Sequence, residues 1–207
     1  GYVKRYVDIL GNAIGCDAVP ADKCRGDMLA GYDKILYIGS VRGGVINGFG
    51  KFSEYLGAVY KKLIVCGVGY MPFRNHIPQR VKEATISVAY EKFVPVFYVQ
   101  GGFDLDELGR MEKMQLAMRV RQIQSAEIVS DEDTFLMSVV KAPIDEVKKE
   151  NVQPLIDYIE DRAVDEKLYS PPEITDAEEE KQFFAELDSA AKAPDDKKRE
   201  LKKKLKK

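Results

Sequence analysis

Histidine and cysteine are scarce in this chain, and their scarcity removes several chemistries. A single histidine, His76, is too little for a histidine-based metal site. The three cysteines, Cys16, Cys24 and Cys66, are odd in number and form no CxxC pair. That argues against a disulfide framework and fits a reducing, cytoplasmic setting. Carboxylates are plentiful but show no metal-ligand spacing, so no metal is expected. No apolar run is long enough to span a membrane, and no signal-peptide pattern is present. Charge of one sign is also lacking: 32 Lys and Arg stand against 34 Asp and Glu, a net charge of −2, which argues against nucleic-acid partners. Neither a P-loop lysine nor a GxGxxG pattern occurs, which disfavours nucleotide binding.

What is there suffices for one domain with a real core. The chain has 207 residues, 45% of them hydrophobic. Its central stretch is Lys34–Phe52, KILYIGSVRGGVINGFGKF. It reads as a buried strand (Lys34–Ile38), a glycine-rich loop (Gly39–Gly44) and a helix from about Asn47 to Leu56. Short apolar run, glycines and helix in succession are the layout of a parallel α/β unit. Ligands of open parallel sheets bind outside the carboxyl ends of the strands, where glycines let backbone N–H groups approach closely. Turn geometry alone would also explain the glycines.

The remaining elements follow the same logic. Tyr2–Ile14 is an amphipathic helix with Gly15 as its C-cap. Cys16–Pro20 reads as a short strand, and Asp27–Tyr32 as a turn with a short helix. Lys62–Gly67 and Val94–Gln100 are apolar enough to be buried on both faces. Gly69–Pro78 is a loop and Gln79–Ser87 a short helix, with Val81 and Ala84 inward. Gly101–Phe103 is a second glycine loop at a strand's carboxyl end. Asp104–Gln122 reads as a long helix with Asp104 and Glu107 near a capping box. Asp131–Val140 and Asn151–Arg162 are further helices, the latter with Leu155, Ile156 and Ile159 on one face. At Ser170 the composition changes. Residues 1–165 are expected to form the domain, and 166–207 a charged, partly helical and weakly ordered tail. The predicted class is a doubly wound α/β domain with a parallel sheet.

Three segments resemble the flavodoxin-like family, nearest to the branch that includes the menaquinone-dependent protoporphyrinogen oxidases. The opening GYVKRYVDILGNAIGCDAVPADK resembles the end of a phosphate loop, the first helix and a second strand reading CDxVP. GSVRGGVINGFGKF resembles one flavin-ring loop, and VFYVQGGFDLDEL the other. The resemblance covers Gly1 to about Ile159. It implies FMN bound at the carboxyl end of a parallel sheet of order 2-1-3-4-5. By position, Gly1, Tyr2 and Val3 would close the phosphate loop. Ser40, Val41, Arg42, Gly43 and Gly44 would line one side of the ring, and Gly101, Gly102, Phe103 and Leu105 the other. The family's loop has the form T/S-x-T-G-x-T after a first strand. Here Val3 stands at the final threonine and offers no hydroxyl. The helical pattern starts at once after Gly1, so the first strand is expected to be missing and the chain to be a fragment or processed product.

The resemblance implies FMN-dependent electron transfer or oxidoreduction, protoporphyrinogen- or quinone-linked in the nearest branch. The partner would be a redox protein or a small-molecule electron acceptor, with at most peripheral membrane contact. The alternative is a flavodoxin-like interaction or regulatory module that has lost its flavin. Arg42 would stabilise negative charge on a reduced ring, or pair with a surface carboxylate. Phe103 would cover the ring edge, or belong to the core. Tyr70, Phe73, Arg74 and His76 fall in a loop on the ligand side. Met111, Met114 and Met118 form a stripe at helical spacing, with Arg110, Lys113, Arg119 and Arg121 around it. Core packing, a partner surface or a flat ligand would each use such a stripe.

Overall fold

The computed structural model describes residues 1–192. A mixed sheet of five strands lies between two groups of helices. The sheet order is β2-β1-β3-β4-β7, from β1 (Ile35–Arg42), β2 (Val45–Ile46), β3 (Leu63–Gly69), β4 (Val96–Gln100) and β7 (Tyr169–Ser170). β1, β3 and β4 are parallel, with Ile35 opposite Leu63 and Val65 opposite Val96. β2 and β7 run antiparallel, each a two-residue strand at an edge. The wholly parallel sheet expected from the sequence is therefore corrected to a mixed one.

Alternation along the central strands sorts their side chains to two cores. Ile35, Tyr37, Val65, Val96 and Tyr98 face one core. It is closed by α3 (Phe49–Phe52), α4 (Leu56–Val59) and α5 (His76–Thr85). Ile64, Cys66, Val68, Phe97 and Val99 face the other. Tyr6 and Leu10 of α1 (Tyr2–Ile14) cover it together with Val152, Leu155 and Ile156 of α8 (Lys149–Ile159). The helix expected near Asn47–Leu56 is broken into short α and 3-10 turns. Gly48, Gly50 and Gly57 weaken a continuous helix there, and Phe49 and Phe52 are drawn inward around Tyr37. α5 begins earlier than expected because Pro78 sits in its first turn, where no N–H is needed. Val81 is buried, whereas Ala84 faces solvent.

Cys16–Pro20 does not form a strand. These residues are exposed and lead through α2 (Gly26–Leu29) into β1. The outer edge of β1 at residues 35–39 pairs with no strand among the described residues, and Cys16–Pro20 does not extend along it. Further along, Gly102–Phe103 forms β5 and pairs with β6 (Ile144–Asp145) in a second, small sheet. Between them lie α6 (Arg110–Gln124) and α7 (Asp131–Lys141), packed on each other through Leu116, Ile123, Leu136 and Val139.

The segment from Ser170, read as weakly ordered, holds ordered structure up to residue 192. Ser170 is buried, and its hydroxyl donates to the Gln79 side-chain oxygen. α9 (Ala177–Lys192) inserts Phe183 beside Phe93, with ring centroids 5.5 Å apart. The apolar pair Phe183–Phe184 anchors a helix whose other residues are mostly polar. The Lys- and Arg-rich block Asp195–Lys207 lies outside the described residues.

Candidate functional site

The parallel strands end together, which places Ser40, Gly69 and Gln100 along one rim of the sheet. Ser40, Val41 and Arg42 belong to β1 itself rather than to a loop. Gly43 and Gly44 then make a two-residue turn with φ of 58° and 85°, and the chain returns as β2. Positive φ at both central residues is what a tight hairpin of this hand requires. The expected strand–loop–helix is thus a β-hairpin, and Gly-Gly between two apolar runs is the signal that announces one. Val41 packs toward Gly67, where an added Cβ would lie 2.6 Å from its methyl group. Arg42 forms an ion pair with Glu112 of α6. The second oxygen of Glu112 accepts from the Gly109 N–H at 2.8 Å, so one carboxylate caps α6 and holds the hairpin.

The other two segments meet at a cleft of about 330 Å³, lined by Gly1, Tyr2, Arg5, Asp104, Glu107, Pro143, Ile144 and Asp145. This is the lower end of the range for small-molecule sites. α1 begins here with Gly1 as N-cap, no side-chain cap and no acidic residue in its first turn. Its first N–H groups therefore lack intrahelical partners at the positive end of the helix dipole. The Tyr2 ring lies against Gly101 and Gly102. A Cβ on Gly102 would come within 2.4 Å of the ring and of the Ile144 carbonyl oxygen. Close packing of Tyr2 and β6 is what requires glycine there. Gly1, Tyr2, Gly102 and Leu105 are accessible or half-buried, and Gly101 is buried. Val3 is half-buried against the α1/α8 core.

Charge in the cleft is predominantly negative. The Tyr2 phenol is pushed above its ordinary value, first by burial and then by Glu107, Asp145 and Asp104. Arg5 offsets part of this field. Its ion pair and hydrogen bond to Asp145 hold that carboxyl below its usual range. Asp104 does not cap α6. Its carboxylate accepts from the Asp106 N–H at 2.8 Å in a local turn, and the helix starts at Arg110.

Phe103 turns from the cleft into the α6/α7 core, edge-on to Tyr70 at 5.7 Å, and Tyr70 stacks on Phe135. His76 lies 3.9 Å from Glu132, which also pairs with Arg80. Cys66 is buried within β3, and burial pushes its thiol up to about 12, far from thiolate reactivity at neutral pH. Among the described residues no group of His, Cys, Asp and Glu is placed to hold a metal ion. No helix among them is long and apolar enough to cross a membrane. Sequence reading missed Arg5, Pro143, Ile144 and Asp145 as cleft residues. A two-residue strand and one arginine on an amphipathic helix carry no local signal.

Neither family models, curated proteins nor solved structures match this chain.

Proposed function

We propose that the carboxyl end of β1, β3 and β4 holds a flat redox cofactor of the FMN kind. The chain is then an electron-transfer or oxidoreductase domain of flavodoxin-like type, exchanging electrons with a partner protein or a small acceptor. The carrying observation is the meeting of the uncapped α1 N-terminus with Asp104 and Glu107 at one cleft, beside the packing of Tyr2 on Gly101 and Gly102. The adjacent parallel strands β1, β3 and β4 agree with the last three strands of the order 2-1-3-4-5. A protoporphyrinogen or quinone substrate rests on the sequence resemblance alone.

The residues fit a ring on the hairpin side only, since Gly101 and Gly102 lie under the Tyr2 ring and Phe103 turns into the α6/α7 core. Gly43 and Gly44 have nothing within 4 Å of an added Cβ, so a planar group can approach the hairpin. At the cleft, the positive N-terminal end of α1 and the Arg5 guanidinium favour a phosphate, while Asp104, Glu107 and Asp145 oppose it. A bound flavin supplies the redox chemistry, and the chain supplies orientation and potential. Arg42 adds positive charge beside a ring only to the extent that it is released from Glu112.

A second reading is an interaction module without flavin. It is favoured by the Tyr2 ring packed over Gly101 and Gly102 and by the three cleft carboxylates. Titration of the folded protein with FMN and with riboflavin separates the two. Quenched flavin fluorescence and shifted visible bands are expected with FMN. The double change Asp104→Asn and Glu107→Gln is expected to tighten FMN several-fold and leave riboflavin unchanged, because only FMN carries the phosphate charge. A folded protein that alters neither flavin's spectrum leaves the module.

A further inference from the structure

We propose that the outward side of α6 is a docking surface for a second protein, one that presents an apolar helix face flanked by carboxylates. The inference does not depend on flavin binding.

α6 has two unlike sides. Leu116 and Ile123 turn into the core shared with α7. Met111, Met114 and Met118, spaced three and four residues apart, share the opposite side and are 64%, 54% and 56% exposed. A helix that only covered a core would carry polar groups there. The exposure is also concentrated. Of the ten exposed large hydrophobic side chains among the described residues, Val45, the three methionines, Ile128 and Val129 lie on the hairpin, α6 and the connection leaving it. The Arg42–Glu112 ion pair ties the hairpin to the first turn of α6. Methionine's flexible, polarisable side chain suits a surface that adapts to a partner.

Charge decides the kind of partner. Arg42 and Arg119 are engaged by Glu112 and Asp133. Arg110, Lys113 and Arg121 are exposed and have no ion pair among the described residues. A second copy of the chain would bring these cations against each other across a two-fold axis, Arg110 facing Arg121 in an antiparallel pairing. A planar anionic membrane would meet Asp104, Asp106 and Glu107 before the helix and Glu127 and Asp131 after it. A protein can set discrete carboxylates opposite the three cations and avoid those acids, as helix-on-helix recognition does.

The test uses the full chain and two synthetic helical peptides with the same leucine face, one flanked by glutamates and one by lysines. Fluorescence anisotropy is expected to show the glutamate peptide bound and the lysine peptide not, with affinity falling as salt rises. Met114→Glu with Met118→Glu should weaken binding by roughly tenfold or more while the circular dichroism spectrum is unchanged. Arg110→Glu, Lys113→Glu and Arg121→Glu together should reverse the peptide preference. Equal affinity for both peptides, or none for the glutamate peptide, would overturn the proposal. So would binding to phosphatidylglycerol vesicles in its place, or a dimer in sedimentation that the methionine changes abolish. Flavin titration of the same variants is independent of every one of these outcomes.

Discussion

A Cβ placed on Gly102 would sit 2.4 Å from a carbonyl oxygen, whereas one placed on Gly43 would meet nothing. Two glycines that look alike in the sequence therefore serve different needs. Gly102→Ala must displace β6 or the Tyr2 ring, and a loss of about 3 kcal/mol is expected, the upper range for overpacking. Gly43→Ala meets only the strain of φ at 58°, and a loss of about 1 kcal/mol is expected. Urea unfolding midpoints of the two variants measure the difference. Sequence shows that a glycine is present but not which neighbour demands it, because Tyr2 and Gly102 are a hundred residues apart. Arg42 and Phe103 were each legible as candidates with two readings. The structure engages one with Glu112 and packs the other beside Tyr70.

At the scale of elements, helices with strong local signals were legible. α1 runs over Tyr2–Ile14 as periodicity indicates, and Gly15 closes it at φ 63°. α6 begins six residues later than expected, because its cap is Glu112 working back to Gly109 rather than Asp104. Glu112→Ala removes that cap and the partner of Arg42 together. A loss of about 1 kcal/mol is expected, with faster amide exchange in the first turn of α6 and in the hairpin. Strands β2, β5, β6 and β7 have two residues each, too short for any alternation to show. α9 was visible only as a polar helix. Its hold on the body is Phe183 against Phe93 and the ion pair of Glu180 with Lys61. Phe183→Ala is expected to cost about 3 kcal/mol by chemical denaturation, and to expose α9 to proteolysis before the sheet.

Over the whole molecule, buried ionisable groups set how stability varies with pH. Lys82 is 1% exposed and donates to the Pro171 carbonyl oxygen at 2.8 Å. Burial lowers its pKa from 10.5 to about 8, against the opposing influence of Glu173, Glu91 and Glu83. Between about 8 and 10.5 the unfolded chain holds this proton and the folded chain has released it, so its contribution to stability rises with pH. The slope reaches at most about 1.4 kcal/mol per pH unit. Tyr60 acts in the opposite sense. Burial first, then its hydrogen bond to Glu180, raises it to about 12. Burial likewise raises Tyr37 and Tyr98. Their stabilisation is complete below pH 10 and is lost above it as the unfolded tyrosines ionise. Cys66, raised by burial from 9.0 to about 12, acts in the same sense as the tyrosines and offsets the Lys82 gain from pH 9 upward. Denaturation curves across this range should therefore rise from pH 8 to about 9, level off, and fall above pH 10. Lys82→Met should abolish the rise and keep the fall.

Composition and period alone determined the α/β character, the two apolar central strands and the helices that cover them. Those patterns report burial, and burial is written residue by residue. Tertiary structure decided what contact between distant segments decides. It turned the glycine loop into a hairpin, left Cys16–Pro20 outside the sheet and folded Tyr169–Ser170 onto its far edge. It also gathered Arg5, Asp104, Glu107 and Asp145 around one helix end. An edge strand forms only where a neighbour offers free N–H and C=O groups, and a cleft's charge is a sum over segments that only the fold brings within reach of each other.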